Sequence, residues 1–243
     1  AGKLHKRLTR LKNQRERLEA KSAPRQEAAF TLDGMNSTKT ITGIDDAPMV
    51  LVPAGWFVMG SDNGNSDEKP RRRVFLDGFY IDRFEVTNAR FEVAEMTPEY
   101  DAGSKFDSSS QPVVGVTWEQ AKAYCEKTGK RLPTEAEWEK AARGTDGRKF
   151  PWGSEAPNCT RTIMADSGDG CGRNRPWVVG SRARGVSPFG AYDMAGNVRE
   201  WVQDWYGKDY YRNAPEKNPG GPDAGSARVI RGGSWFYNYF TGN

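Results

Sequence analysis

The chain has 243 residues, which is long enough for one sizeable hydrophobic core or for one domain with an appendage. The mean hydropathy is −0.80, and no apolar run approaches the roughly 20 residues of a membrane-spanning helix, so the composition excludes a protein built from such helices. The formal net charge is +4 and is unevenly distributed, because residues 1–21 hold eight Lys/Arg and two Glu. The rest of the chain is slightly acidic and has no charge pattern typical of nucleic-acid binding.

The first 21 residues predict a basic amphipathic helix. One face carries four leucines at helical spacing, namely Leu4, Leu8, Leu11 and Leu18. Three interpretations stay open: a solvated helix lying on its own domain, a short coiled coil or partner-docking helix, and a basic arm near a membrane surface or nucleic acid. Because so short a helix is marginally stable alone, we expect it to need a partner surface. Residues 22–47 are rich in Ser, Ala, Thr, Asp and Gly and are predicted to form a linker.

A globular domain is predicted over residues 48–243. Apolar runs that alternate or end at turn residues predict three strands, at residues 49–53, 54–60 and 74–82. Three threonines are predicted helix caps, the last two in capping boxes: Thr87, Thr117 with Gln120, and Thr134 with Glu137. The second half is rich in glycine and predicts long loops, in which tryptophans fill the core and side chains bond to the backbone.

Eight short motifs carry a family resemblance. They occur in this order: Val52–Gly60, Glu85–Asn88, Pro112–Trp118, Gly129–Glu139, Ala142–Gly144, Phe150–Gly153, Asp193–Trp201 and Arg231–Trp235. Each is weakly specific alone, but together and in order they resemble the formylglycine-generating enzyme, or sulfatase-modifying factor, family over residues 48–240. The resemblance implies a C-type-lectin-like α+β fold with small sheets, few helices and long ordered loops.

The activity of that family depends on two cysteines that this chain lacks. The resemblance implies an oxidase that converts a sulfatase cysteine to formylglycine with Cu(I) held by two thiolates, which are soft ligands suited to that ion. The matching positions are Tyr237 and Gly242, and neither can supply a thiolate. Other relatives bind iron through a histidine cluster, but the one histidine, His5, precedes the globular domain. We therefore expect no copper and no catalytic residues.

The three cysteines predict one disulfide. Cys159 and Cys171 have eleven residues between them, and a bond between them would close a short loop and add ~2–3 kcal/mol. The alternative is two reduced thiols. Cys125 lies on the apolar side of a capped helix and is predicted to be a buried packing residue. A disulfide favours an oxidising compartment, so the chain is expected to be periplasmic, secreted or at the cell surface.

Calcium is the ligand that the residues favour, because hard cations take carboxylates and carbonyls from a tight loop. Asp193 and Glu200 offer two carboxylates seven residues apart, with Gly196 allowing the turn between them. The resemblance implies side-chain ligands from Asp193 and Glu200 and carbonyl ligands from Gly196 and Val198. The alternative is that both carboxylates only cap loops and form ordinary hydrogen bonds.

The resemblance also implies a second calcium site around the predicted disulfide. Its side-chain ligands would come from Asn158 and Asp169, and its carbonyl ligands from Cys159 and Cys171. A disulfide would hold this loop in place. One or two calcium ions are therefore expected.

Two positions depart from the family pattern. Arg199 stands where relatives usually carry an aromatic residue, and we expect it to point outward and to pair with Asp204 or Glu200. Family domains continue beyond Arg231–Trp235 to a strand that closes the sheet, so we expect the sequence to omit this closing strand.

Two classes of function stay open. The first is a non-catalytic, calcium-stabilised binding or structural module of an extracytoplasmic bacterial-type assembly. Its partner would be another protein subunit, contacted by the N-terminal helix and by an aromatic surface formed by Tyr237, Tyr239 and Phe240; alternatively, these aromatics belong to the core. The second class is a copper-dependent formylglycine-generating oxidase, or a related non-haem metalloenzyme, completed by residues outside this chain.

Overall fold

The computed structural model describes residues 39–166 and 168–237. The predicted basic helix at residues 1–21 lies outside them, as do Tyr239 and Phe240. The strands are β1 (Thr40–Thr42), β2 (Pro48–Val52), β3 (Gly55–Met59), β4 (Arg72–Leu76), β5 (Phe79–Asp82), β6 (Glu200–Trp205) and β7 (Arg228–Arg231). The helices are α1 (Asn88–Val93), α2 (Trp118–Lys127), α3 (Glu135–Arg143), α4 (Asp169–Gly172) and α5 (Tyr210–Asn213), with short 3-10 turns at Ser66–Glu68, Ser104–Phe106 and Ala183–Gly185.

Three small antiparallel sheets form the frame. The first has the order β1-β2-β5, and the others pair β3 with β4 and β6 with β7. Strand β1 pairs with β2, with Thr40 opposite Val50, so the sheet begins inside the segment predicted as a linker. All three β1 residues are exposed, and an exposed edge strand leaves no apolar alternation by which the sequence could reveal it.

The predicted helix caps are confirmed. Thr87 Oγ1 accepts a hydrogen bond from the backbone N of Arg90 at 3.3 Å. Reciprocal capping boxes join Thr117 to Gln120 and Thr134 to Glu137 at the starts of α2 and α3. These bonds satisfy backbone N–H groups that the first turn of a helix leaves without a partner. They depend on contacts three residues apart, which is why the sequence alone identifies them.

The main core lies between β2 and α3. Val50 and Val52 of β2 pack against Trp138 of α3, together with Met194 and Val202. Met194 lies just inside the Asp193–Glu200 segment and Val202 just after it. The core therefore holds this segment at both of its ends.

The second half of the domain consists mainly of loops, as the sequence predicts. Between α3 and β6 the described residues form no strand, only α4 and one 3-10 turn. Indole N–H groups bond to distant carbonyls, for example Trp118 Nε1 to Val202 O at 2.8 Å and Trp201 Nε1 to Val116 O at 3.1 Å. Within residues 39–166 and 168–237, no helix has the length and apolar character to cross a membrane.

Cys125 is a packing residue, as predicted. It packs against a cluster formed by Phe91, Ala94 and Tyr124 and has no disulfide partner. Burial raises the pKa of its thiol to about 12. The thiol therefore stays protonated near neutral pH and is a poor nucleophile and metal ligand.

Candidate cation loop and aromatic patch

The segment Asp193–Glu200, here called the cation loop, has a backbone that few other sequences would adopt. Asp193 and Asn197 lie in the left-handed region with φ of 60° and 67°. The backbone N of Gly196 donates to Asp193 O at 3.0 Å. A Cβ at Gly196 would lie 2.0 Å from Thr162 Oγ1 and 2.6 Å from Ile163 O, so only glycine fits against this neighbouring chain segment.

The two carboxylates of the cation loop are largely shielded from solvent, and the positive charge of Arg182 acts on Asp193. Asp193 Oδ2 accepts a hydrogen bond from Gly180 N at 2.6 Å, and Glu200 Oε2 accepts one from Trp138 Nε1 at 3.0 Å. Neither carboxylate forms an ion pair with a described residue. Burial raises the pKa of Asp193 to about 6 and that of Glu200 to about 7.

A third buried carboxylate, Glu85, supports the loop from outside it. Glu85 Oε2 accepts from Asn197 Nδ2 at 2.6 Å, and Oε1 accepts from Val198 N at 3.1 Å. Burial, followed by the negative charges of Asp193 and Glu200, raises the pKa of Glu85 well above its ordinary value. The sequence identified Glu85 only as part of a family motif. It did not indicate the contact with the cation loop, because more than a hundred residues separate the two.

The cation loop offers oxygen donors of the kind that a hard cation takes. The carbonyl oxygens of Met194 and Val198 converge near Gly232, where a Cβ would lie 3.7 Å and 3.8 Å from them. Calcium is typically bound by a combination of carboxylate and carbonyl oxygens. A cation in the loop would balance the negative charges of Asp193 and Glu200. In the part of the chain that the structure describes, no three His, Cys, Asp or Glu side chains could hold a metal by themselves. Carbonyl oxygens would therefore have to complete the ligand shell.

These raised pKa values predict the pH dependence of the calcium-free protein. Asp193, Glu200 and Asp204, whose pKa burial raises to about 7, bind protons in the folded state at a pH where the unfolded chain does not. The stabilisation that these protonated groups give to the folded state is therefore fully present below pH ~4. It is lost as the pH rises through about 6 to 7. We expect Tm in chelator buffer to rise as the pH is lowered from 7.5 to 5.5. A Tm that instead falls steadily over this range would contradict the burial of these groups.

The predicted disulfide is confirmed, whereas the second predicted calcium site has a less complete set of ligands. Cys159 and Cys171 are bonded, with Cα atoms 5.7 Å apart. Asn158 Oδ1 accepts from both N and Oγ1 of Thr160, at 3.0 Å and 2.7 Å, so its oxygen is engaged within its own turn. Asp169 is an exposed carboxylate at the start of α4. The second site therefore stays a prediction supported by the loop closure alone.

Phe236, Tyr237 and Arg199 form an exposed surface, here called the aromatic patch. Phe236 is 51% exposed and Tyr237 is 42% exposed, and their ring centroids are 4.7 Å apart. Tyr237 is thus a surface residue, and its role in binding stays a prediction.

The prediction for Arg199 was half right. The side chain is exposed, but its guanidinium lies 4.0 Å above the ring of Tyr237 and pairs with neither predicted carboxylate. Asp204 Oδ2 instead accepts from the backbone N of Glu135 at 2.8 Å. Glu200 instead accepts a hydrogen bond from the indole of Trp138.

A cavity of about 420 Å³ runs along β5 and reaches the cation loop, since Met194, Val198 and Glu200 line it together with Glu85. Its lining is mainly apolar and includes Phe79, Ile81, Val116 and Trp201. The protonated thiol of Cys125 also lines it. The cavity therefore offers apolar burial rather than an activated nucleophile.

Comparison with known proteins identifies relatives over most of the chain. The family model described as a sulfatase-modifying factor enzyme 1-like domain matches residues 37–241. The chain is 37% identical over 212 residues to the serine/threonine-protein kinase pkn1 of Chlamydia pneumoniae, covering 77% of this chain and 33% of that protein. It is 33% identical over 252 residues to the formylglycine-generating enzyme of Thermomonospora curvata, covering 77% of this chain and 82% of the enzyme. The chain thus spans about a third of the length of the Chlamydia relative.

Solved structures confirm the predicted α+β fold. PvdO from Pseudomonas aeruginosa superposes with a TM-score of 0.67 at 27% identity, covering 83% of this chain and 88% of PvdO. Treponema denticola variable protein 1 also superposes with a TM-score of 0.67, at 24% identity, covering 84% of this chain and 90% of that protein. At that lower identity the second likeness concerns the fold alone.

Proposed function

Because the chain belongs to the sulfatase-modifying factor family, we propose that it is a non-catalytic member, a calcium-stabilised binding or structural module of an extracytoplasmic bacterial-type assembly. One observation carries this proposal. Tyr237 is an exposed phenol partly covered by Arg199, and the family resemblance implies that it stands where catalytic relatives carry the first copper-binding cysteine. A phenol under a guanidinium cannot replace a thiolate as a Cu(I) ligand.

Calcium is proposed as the stabilising ion because of the charges in the cation loop. Asp193 is buried and Glu200 half-buried, neither has an ion-pair partner among the described residues, and Glu85 adds a third, buried acid nearby. A buried carboxylate is costly unless it is paired or coordinates a metal. A cation held by the loop would remove that cost and lower the pKa of its ligands. The chain's own residues would position it through Trp138, Gly180 and Glu85.

An extracytoplasmic location is proposed from the disulfide. Cys159 and Cys171 close a short surface loop, and such bonds persist in oxidising compartments. A sulfatase-modifying factor domain is compatible with that location.

The partner is proposed to be another protein subunit. The aromatic patch combines two exposed rings with an arginine, and aromatic residues and arginine are enriched at the centres of protein interfaces. The basic segment 1–21 would provide a second contact, with a membrane surface as the alternative. The same type of domain forms about a third of a Chlamydia protein named as a kinase. It is therefore carried by a protein whose name denotes a different activity, which favours a binding role.

Copper uptake tests the non-catalytic assignment. With the disulfide intact, we expect no stoichiometric binding of Cu(I) and no oxidation of a cysteine-containing peptide, because the only free thiol, Cys125, is packed beside Phe91 and Tyr124. The measurement is a competitive Cu(I) titration with a chromogenic chelator, combined with mass spectrometry of the peptide. The formylglycine-generating enzyme of Thermomonospora curvata is the positive control.

The second candidate function is an oxidase completed by residues outside this chain. It is favoured by the 33% identity to that enzyme over most of its length. One equivalent of tightly bound Cu(I), or a formylglycine product, would establish it and would overturn the non-catalytic proposal.

A further inference from the structure

The aromatic patch is attached directly to the cation loop. Asn197 O accepts a hydrogen bond from Trp235 N at 2.8 Å, and the ring of Trp235 makes an edge-to-face contact with Phe236, with ring centroids 5.2 Å apart. Arg199, within the loop, lies over Tyr237. The loop thus contacts both ends of the segment 235–237, once through the backbone and once through a side chain.

The disulfide loop holds the same segment from the other side. Gly170 N donates to Trp235 O at 2.5 Å, and Ala165 N donates to Tyr237 O at 3.0 Å. Gly170 immediately precedes the disulfide-bonded Cys171. The segment 235–237 is therefore clamped between a covalently closed loop and the cation loop.

Trp177 joins the two loops to each other. Its backbone N donates to Asn197 Oδ1 at 2.8 Å, and its indole Nε1 donates to Gly170 O at 2.8 Å. Asn197 is fully buried and also donates to Glu85. Because the Asn197 side chain bonds to several partners at once, its position is fixed only while all of these partners are in place.

Loss of the cation would act on this network at its centre. Glu85, Asp193 and Glu200 would then remain close enough to interact electrostatically, with no ion pair to a described residue. Without the ion, the carbonyl of Val198 would lose its ligand contact, and the turn at Asn197 and Val198 would be held by hydrogen bonds alone, among them those that it donates to Glu85. Movement of Asn197 would break the hydrogen bond that Trp235 N donates to Asn197 O. Trp235 immediately precedes Phe236, the first aromatic residue of the patch.

We propose that the aromatic patch is a calcium-dependent contact surface, in which a cation in the loop 193–200 fixes the segment 235–237 through Asn197 and Arg199 while Trp177 links both to the disulfide loop. The proposal rests on calcium binding by the cation loop, as proposed above. Reciprocity requires that a protein bound to the patch raises the calcium affinity by the same factor by which calcium raises the affinity for that protein. The occupant that suits the patch is a protein surface with an apolar side chain beside a carboxylate, since the patch offers two rings and one cation.

Hydrogen exchange of single amides, measured by NMR with calcium and with chelator, tests the proposal. We expect calcium to slow exchange at Trp235 and Gly170 by about tenfold or more, and to leave Phe57, in the separate β3–β4 sheet, unchanged. Trp177→Phe keeps the ring but removes the Nε1 bond to Gly170 O, so calcium protection should persist at Trp235 and weaken at Gly170. Trp152→Phe is the matched control, since the Trp152 indole bonds only to Glu155 O at the surface.

The possible failures are distinguishable. Calorimetry that detects no calcium binding by the wild-type protein would overturn the calcium assignment and the coupling together. Calcium binding with unchanged exchange at Trp235 and Gly170 would overturn the coupling alone and leave a purely stabilising ion. If Trp177→Phe and Trp152→Phe changed the calcium protection of the Gly170 amide equally, the role of Trp177 as the link would be overturned.

Discussion

Chelation of calcium is expected to lower the free energy of unfolding by about 2.7 kcal/mol for protein previously held at a hundredfold excess of calcium over its Kd. For a domain of this size that corresponds to a fall in Tm of roughly 5–10 °C. The physical reason is that the ion binds the folded cation loop, with its two buried carboxylates, and has no preformed site in the unfolded chain. Differential scanning calorimetry with calcium and with chelator measures the effect.

Two variants separate calcium binding from general electrostatics. Asp193→Asn and Glu200→Gln keep the acceptor atoms for Gly180 N and Trp138 Nε1 but remove the charges that bind the ion. Both are expected to abolish the response to calcium while leaving stability in chelator unchanged or slightly higher, because burial already opposes the charged forms. Asp204→Asn is the matched control: it is an equally buried acid outside the loop, and it should retain the full response. An unchanged Tm of the wild type on chelation would contradict the site.

Removal of the disulfide is expected to cost ~2–3 kcal/mol of stability. The double variant Cys159→Ser with Cys171→Ser leaves the short loop free in the unfolded state, where the bond otherwise restricts it. In the folded state the loop would also hold the segment 235–237 less firmly, through Gly170 and Ala165. Urea unfolding of the variant and of the wild type, each with and without reductant, measures the difference.

Cys125 provides the control for this experiment. Cys125→Ala removes the free thiol in the Phe91 and Tyr124 cluster but leaves the disulfide, so this variant should still lose stability on reduction. The double serine variant should not respond to reductant. Two free thiols at Cys159 and Cys171 in mass spectra of unreduced protein would contradict the disulfide and weaken the argument for an oxidising compartment.

The site was only partly predictable, for reasons of sequence distance. Asp193 and Glu200 lie seven residues apart in one motif, so their joint role could be inferred from the sequence. Glu85 contacts Asn197 and Val198 from more than a hundred residues away, and no local pattern relates these positions. Arg199 illustrates the opposite error, because nearness in sequence to Glu200 suggested an ion pair. Glu200 instead bonds to the indole of Trp138, and Arg199 lies over the ring of Tyr237.

The sequence by itself determined what depends on short-range chemistry and on ordered motifs: the family, the capped helices at Thr117 and Thr134, the pairing of Cys159 with Cys171, and the lack of a thiol at position 237. These follow from contacts a few residues apart or from residue identity alone. Only the tertiary structure decided where the buried charges meet and what they hold. The clamp of Trp235 between Asn197 and Gly170, and the stacking of Arg199 on Tyr237, join segments that lie far apart in the chain. Such contacts arise when the core between β2 and α3 brings irregular loops together, and loops carry no periodic signal from which their packing could be inferred.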